Sequence, residues 1–157
     1  MTRRYVAVAG PGECDAPTLA LAEEVGRELA ARGAVLVCGG LGGVMEAACR
    51  GAKAVGGSTV GILPGTDRSA ANPFVDVALP TGLGEARNTL VVRAADALVA
   101  VGGEFGTLSE IAFALKTGVR VVGVNTWELG RGGRPVEAFA QAGSPAEAVE
   151  LALVDSP

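Results

Sequence analysis

Five short stretches of the chain are apolar almost without a break: YVAVA at 5–9, AVLVC at 34–38, TVGIL at 59–63, ALVAV at 97–101 and RVVGV at 120–124. A strand with one wet face alternates apolar and polar side chains. A strand covered on both faces does not, because every side chain meets a packed layer. The runs therefore predict strands of a mostly parallel sheet. A further run, VDVAL at 75–79, broken by Asp76, reads as a sixth strand. Between the runs lie segments with helical spacing. Residues 17–32 place Leu21, Val25 and Leu29 on one face, and 44–55, 83–95 and 107–117 follow the same logic. Alternating strands and helices with right-handed crossovers give an α/β, doubly wound, Rossmann-like fold with helices on both faces. The 157 residues suit a single nucleotide-binding domain over 1–157.

The chain has no histidine, which removes Ser-His-Asp triads, Cys-His pairs and His-ligated metals together. Cys14, Cys38 and Cys49 lack CxxC spacing and read as reduced thiols. Neither a metal nor a resident cofactor is expected. A net charge of −4 with no long basic run speaks against nucleic acid as a partner. No apolar run is long enough for a membrane span, and the run after MTRR is too short for a signal peptide. The expected location is the cytoplasm.

Glycine is abundant, at 24 residues, and clustered. GPGECD (10–15) follows the first strand, GGLGGVME (39–46) the second and GGEFGTLSE (102–110) the fifth. In an open α/β sheet these loops share the carboxyl edge, where ligands bind. Their candidate binding residues are Gly10, Gly12, Gly39, Gly40, Gly42, Gly43, Gly103, Glu104, Phe105, Gly106 and Thr107. Backbone N–H groups and helix N-termini there suit phosphate. The loops also read as simple tight turns, but three at one edge favour binding. GxxxxGK[ST] is absent. A dinucleotide site is disfavoured, because Asp15 replaces the third glycine and the second strand ends Cys38-Gly39-Gly40 without a carboxylate.

Thr107 and Glu110 are open to two readings. Thr-x-x-Glu is the spacing of a helix capping box. The same spacing sets a hydroxyl on phosphate and a carboxylate one turn on, in the same cleft, where it stabilises a sugar cation or orients water. Ser144-Pro145-x-Glu147 is a control: a plain helix start for 145–153 with the same spacing. Arg87, in GEARNTLVVRAAD, suits phosphate with its rigid guanidinium, or pairs locally with Glu85. Arg93 reads as surface. Asn88 and Phe105 are the only hints of a residue that reads a ring.

VAVAGPGE, LAARGAVLVCGGLGGVMEAACRGA, GGSTVGILPG and EARNTLVVRAADALVAVGGEFGTLSE together resemble the Lonely Guy superfamily, also labelled lysine decarboxylase-like. Its hallmark is PGGxGTxxE with an upstream arginine. The resemblance implies a phosphoribohydrolase: a hydrolase that cleaves the N-glycosidic bond of a nucleoside 5′-monophosphate, with Arg87 and Glu110 as the catalytic pair. Gly102 replaces the hallmark proline, Glu104 its second following glycine, and Asn88 the lysine after the arginine. These departures make the chain more similar to a bacterial branch that includes molybdenum cofactor carrier-like proteins. That branch implies the alternative, a non-catalytic carrier or sensor of a phosphorylated pterin or nucleotide. Both readings imply a small phosphorylated ligand and a homo-oligomer. Lysine decarboxylation is disfavoured, because Lys53 and Lys116, the only lysines, lie on predicted helices away from the loops.

Overall fold

The computed structural model describes residues 2–155. Five parallel strands carry the core: β1 (Tyr5–Ala9), β2 (Val35–Cys38), β3 (Ser58–Leu63), β5 (Ala97–Val101) and β6 (Arg120–Val124). With edge strands β4 (Val77–Pro80) and β9 (Ala140–Gln141) they form a seven-stranded parallel sheet in the order β4-β3-β2-β1-β5-β6-β9. The order reverses direction at β1, so the crevice between the loops after β1 and β5 is the switch point.

The unbroken apolar runs have a direct cause. Val6 and Val8 face one helical layer, α1 (Ala16–Ala31), α2 (Val44–Ala54) and α5 (Pro145–Leu153). Ala7 and Ala9 face the other, α3 (Asn88–Arg93) and α4 (Phe105–Thr117). Leu36, Val99 and Val122 repeat the first face, and Val37, Leu98 and Val121 the second. Helices α1 and α2 touch backbone to backbone, since a side chain at Gly26 would collide with Ala48 and one at Gly51 with Glu23.

Two expectations shift. The sixth predicted strand lies at 77–80 instead of 75–79, because Asn72 Oδ1 accepts the Phe74 N–H and holds the chain in a turn beforehand. The helix expected over 83–95 is a 3-10 turn at Gly84–Arg87 followed by α3 alone. Gly82 and Gly84 both adopt positive φ, which blocks an earlier α-helical start. Beyond β6, a hairpin of β7 (Leu129–Arg131) and β8 (Arg134–Val136) turns on Gly132-Gly133, both at positive φ, and leads into β9. These strands are short and exposed and carry no apolar pattern to announce them. No helix among the described residues is long and apolar enough to cross a membrane, and none of their His, Cys, Asp and Glu side chains group as a metal site.

Candidate functional site

The three glycine loops meet at the carboxyl edge and do different work there. The first leads into α1, whose N-terminus is closed: the Asp15 carboxylate accepts the Thr18 N–H at 3.0 Å. Those bonds from Thr18 hold the Asp15 carboxyl below its ordinary value. The second loop is tied to the first, with the Val44 N–H donating to Pro11 C=O at 3.0 Å. Gly43, at positive φ, packs on the Pro11-Gly12 backbone, and Gly40 packs on Leu63 and Gly61.

The third loop is open. Helix α4 begins at Phe105 with Glu104 as its N-cap, and the Glu104 side chain accepts no N–H. The first intrahelical bond runs from Leu108 N–H to Glu104 C=O. The N–H groups of Phe105, Gly106 and Thr107 precede it and lack helix acceptors, as at any uncapped start. Thr107 is thus the third residue of the helix and Glu110 the sixth. The capping-box reading of this pair fails, because both lie past the position a cap occupies. At the control, Ser144 caps α5 by accepting the Glu147 N–H, and the Glu147 carboxylate accepts the Gly143 N–H at 2.8 Å.

Arg87 does not pair with Glu85. It turns inward from the end of the 3-10 turn and is 9% exposed. Its Nη1 donates to Asn88 Oδ1 and its Nη2 to Gly39 C=O at 3.4 Å. A Cβ at Gly39 would lie 2.7 Å from Nη2, so glycine there makes room for the guanidinium. Arg87 Nε is buried with no partner. Glu110 is equally buried. Burial pushes its carboxyl up to about 7, against the opposing pull of the Arg87 charge. Burial also draws the Arg87 guanidinium down from its ordinary value, with Glu110 the main opposing charge. No ion pair within bonding distance joins the two among the described residues. Both line one cavity of about 140 Å³ between the first and third loops.

Gly10, Gly12, Asn88, Glu104, Gly106 and Thr107 join Arg87 and Glu110 in that wall. The second-loop glycines stand behind it: Gly39 supports Arg87, Gly40 and Gly43 dock loops, and Gly42 sits against Gly12. Gly103 also lies behind it. A side chain there would strike Trp127, whose Nε1–H donates to Glu104 C=O at 3.2 Å. Phe105 leans on Trp127 with ring centroids 5.7 Å apart. Sequence reasoning missed Pro11 and Met45 in the wall and Trp127 as the clamp on the loop. It also missed the thiol pair beneath, Cys38 Sγ 3.6 Å from Cys49 Sγ. Their spacing of eleven residues has no motif, since the end of β2 and the middle of α2 bring them together.

Gly106 and Thr107 at the uncapped helix start, a guanidinium whose Nε lacks a partner and a carboxyl that titrates near 7 are groups that suit a small oxyanion. Comparison with known proteins agrees with this fold and points to relatives. A family model described as the SLOG cluster4 family matches residues 3–152. An uncharacterised protein of Archaeoglobus fulgidus is 44% identical over 156 residues, covering 99% of each chain. The solved molybdenum cofactor binding protein of Rippkaea orientalis is 36% identical over 96% of each chain, with a TM-score of 0.87. The molybdenum cofactor carrier protein of Chlamydomonas reinhardtii is 33% identical over 96% of each chain, with a TM-score of 0.82.

Proposed function

The chain belongs to the SLOG cluster4 family, of the Lonely Guy superfamily, and from that premise we propose that it is a carrier of a phosphorylated small molecule of the molybdenum cofactor type. The observation that carries the proposal is the open start of α4 beside buried Arg87. The cargo's phosphate rests on the N–H groups of Phe105, Gly106 and Thr107. The helix dipole and the Arg87 guanidinium balance its charge. Protonated Glu110 donates a hydrogen bond to a phosphate oxygen, and as a carboxylate it repels the same oxygen. A carrier needs such a grip to be firm and reversible, and a side chain near neutrality supplies reversibility.

The likeness to two solved cofactor-binding proteins over nearly their whole length supports this reading over turnover. The test is retention. Purified protein is mixed with molybdenum cofactor released from a denatured molybdoenzyme, then desalted. Near one molybdenum per chain, returned on mixing to an apo-molybdoenzyme, is the expected result. Retention no better than that of an unrelated protein rejects the carrier.

One observation favours a second reading, N-glycosidic hydrolysis of a nucleoside 5′-monophosphate. Glu110 near neutrality beside Arg87 matches a residue that supports a sugar cation and orients water. Free base released from AMP, and lost in Glu110→Gln, supports that reading. Intact nucleotide after prolonged incubation rejects it.

A further inference from the structure

Beside the small cavity, and sharing Asn88 and Gly106 with its wall, lies a second of about 550 Å³. One wall is a stripe of α4: Phe105, Ser109 and Phe113 recur every four residues and so share a helix face. Glu85 and Thr89 form the opposite wall, from the 3-10 turn and α3. Phe105 is 77% exposed, unusual for a ring already held in place on one side by Trp127. The polar groups share one character. The Ser109 hydroxyl donates to Gly106 C=O at 2.6 Å and the Thr89 hydroxyl to Ala86 C=O at 2.8 Å. Their protons are committed and their lone pairs are not. The Glu85 carboxylate accepts no hydrogen bond among the described residues and is the only charged side chain of this wall. Apart from the Asn88 amide and the Phe105 and Gly106 N–H groups, which the phosphate takes in the reading above, the cavity therefore offers acceptors.

We propose that this cavity receives the ring system of the phosphorylated ligand. It selects a fused heterocycle with a 2-amino-4-oxopyrimidine edge, read by the Glu85 carboxylate while the ring lies on Phe105. That edge, common to guanine and pterins, presents an N–H and an amino group side by side. A carboxylate accepts from both at once. Adenine presents an amino group beside a ring-nitrogen acceptor, and the acceptor faces the carboxylate lone pairs without a proton between them. An aromatic face adds stacking that is indifferent to the edge. The inference rests on the anion-site reading above and adds the side chains that select the ring.

The test uses the full chain and three probes with a common phosphate: GMP, AMP and ribose 5-phosphate, measured by titration calorimetry. GMP binds about tenfold more tightly than AMP, as expected for a partly solvated charge-assisted pair. Glu85→Gln brings the two nucleotides to about equal affinity, because the carboxamide offers one donor and one acceptor. Phe105→Ala weakens both nucleotides about tenfold. Ribose 5-phosphate binds all three proteins alike, which also shows that the variants are folded. Equal affinity for GMP and AMP in the parent protein, or a guanine preference that survives Glu85→Gln, overturns the ring assignment alone. Failure of ribose 5-phosphate to bind the parent protein overturns the anion site, and the ring assignment with it.

Discussion

Two helix starts in this molecule carry the same four-residue pattern and use it in opposite ways. At α5, Ser144-x-x-Glu147 straddles the first turn. The hydroxyl accepts one N–H, the carboxylate another, and the helix end is closed. At α4, Thr107-x-x-Glu110 lies one turn further in. The cap position falls to Glu104, which accepts nothing, and the helix end stays open over a cavity. A shift of three residues in register separates a satisfied terminus from an open one. The unmade bonds at α4 cost stability, and that deficit is available to an anion.

The comparison breaks most sharply at Arg87, which has no counterpart at α5. Arg87→Ala is expected to weaken ribose 5-phosphate binding about 100-fold, since a buried charge-assisted pair to phosphate is lost. Arg87→Lys keeps the charge but not the fork, and restores only part of the affinity. Wild-type affinity in the alanine variant would remove Arg87 from the site.

Glu110 comes next, through pH. Its carboxyl sits at about 7 in the folded protein against an ordinary value of 4.5. The folded state therefore holds the proton more tightly than the unfolded one. Stability from this group is full below the ordinary value and is lost as pH rises to about 7. Glu110→Gln, which cannot ionise, is expected to melt close to wild type at pH 4.5 and to gain on the order of 2 kcal/mol by pH 8. Thermal melts across that range decide it, and a gain independent of pH contradicts the buried, near-neutral carboxyl.

Glu104→Asp transplants the α5 solution onto α4. Aspartate keeps the charge and is short enough to accept the Gly106 or Thr107 N–H, so stability is expected to rise by about 0.5–1 kcal/mol. Ribose 5-phosphate affinity is expected to fall about tenfold as the N–H groups are taken. Unchanged affinity in a stabilised variant would mean that phosphate does not use the helix end. Ser144→Ala opens α5 in turn, with an expected loss of about 1 kcal/mol in urea denaturation and no effect on ligand binding. Any effect on binding would show that the two ends are coupled.

The fold was readable from residues because its signals are local. A strand buried on both faces must be apolar throughout, and YVAVA and ALVAV are. Glycine clusters mark the loops at the carboxyl edge wherever they fall. Gly33 closes α1 at positive φ, as its place after the helical pattern suggests. The short strands at 129–131, 134–136 and 140–141 were illegible, because exposed strands pair through backbone and leave little trace in side-chain pattern.

The site divides along the same line. Sequence alone determined that Arg87, Thr107 and Glu110 would stand near one edge of a parallel sheet, since strand order and glycine loops bring them there. Tertiary structure decided what each touches. Whether Arg87 faces water beside Glu85 or turns inward depends on the Gly39 carbonyl, 48 residues away. Whether Thr-x-x-Glu caps a helix or lines a cavity depends on where α4 begins, and Trp127, from beyond the next strand, helps hold that start. Spacing along a chain specifies which groups are neighbours. Burial and hydrogen-bond partners come from distant segments, and those set charge state.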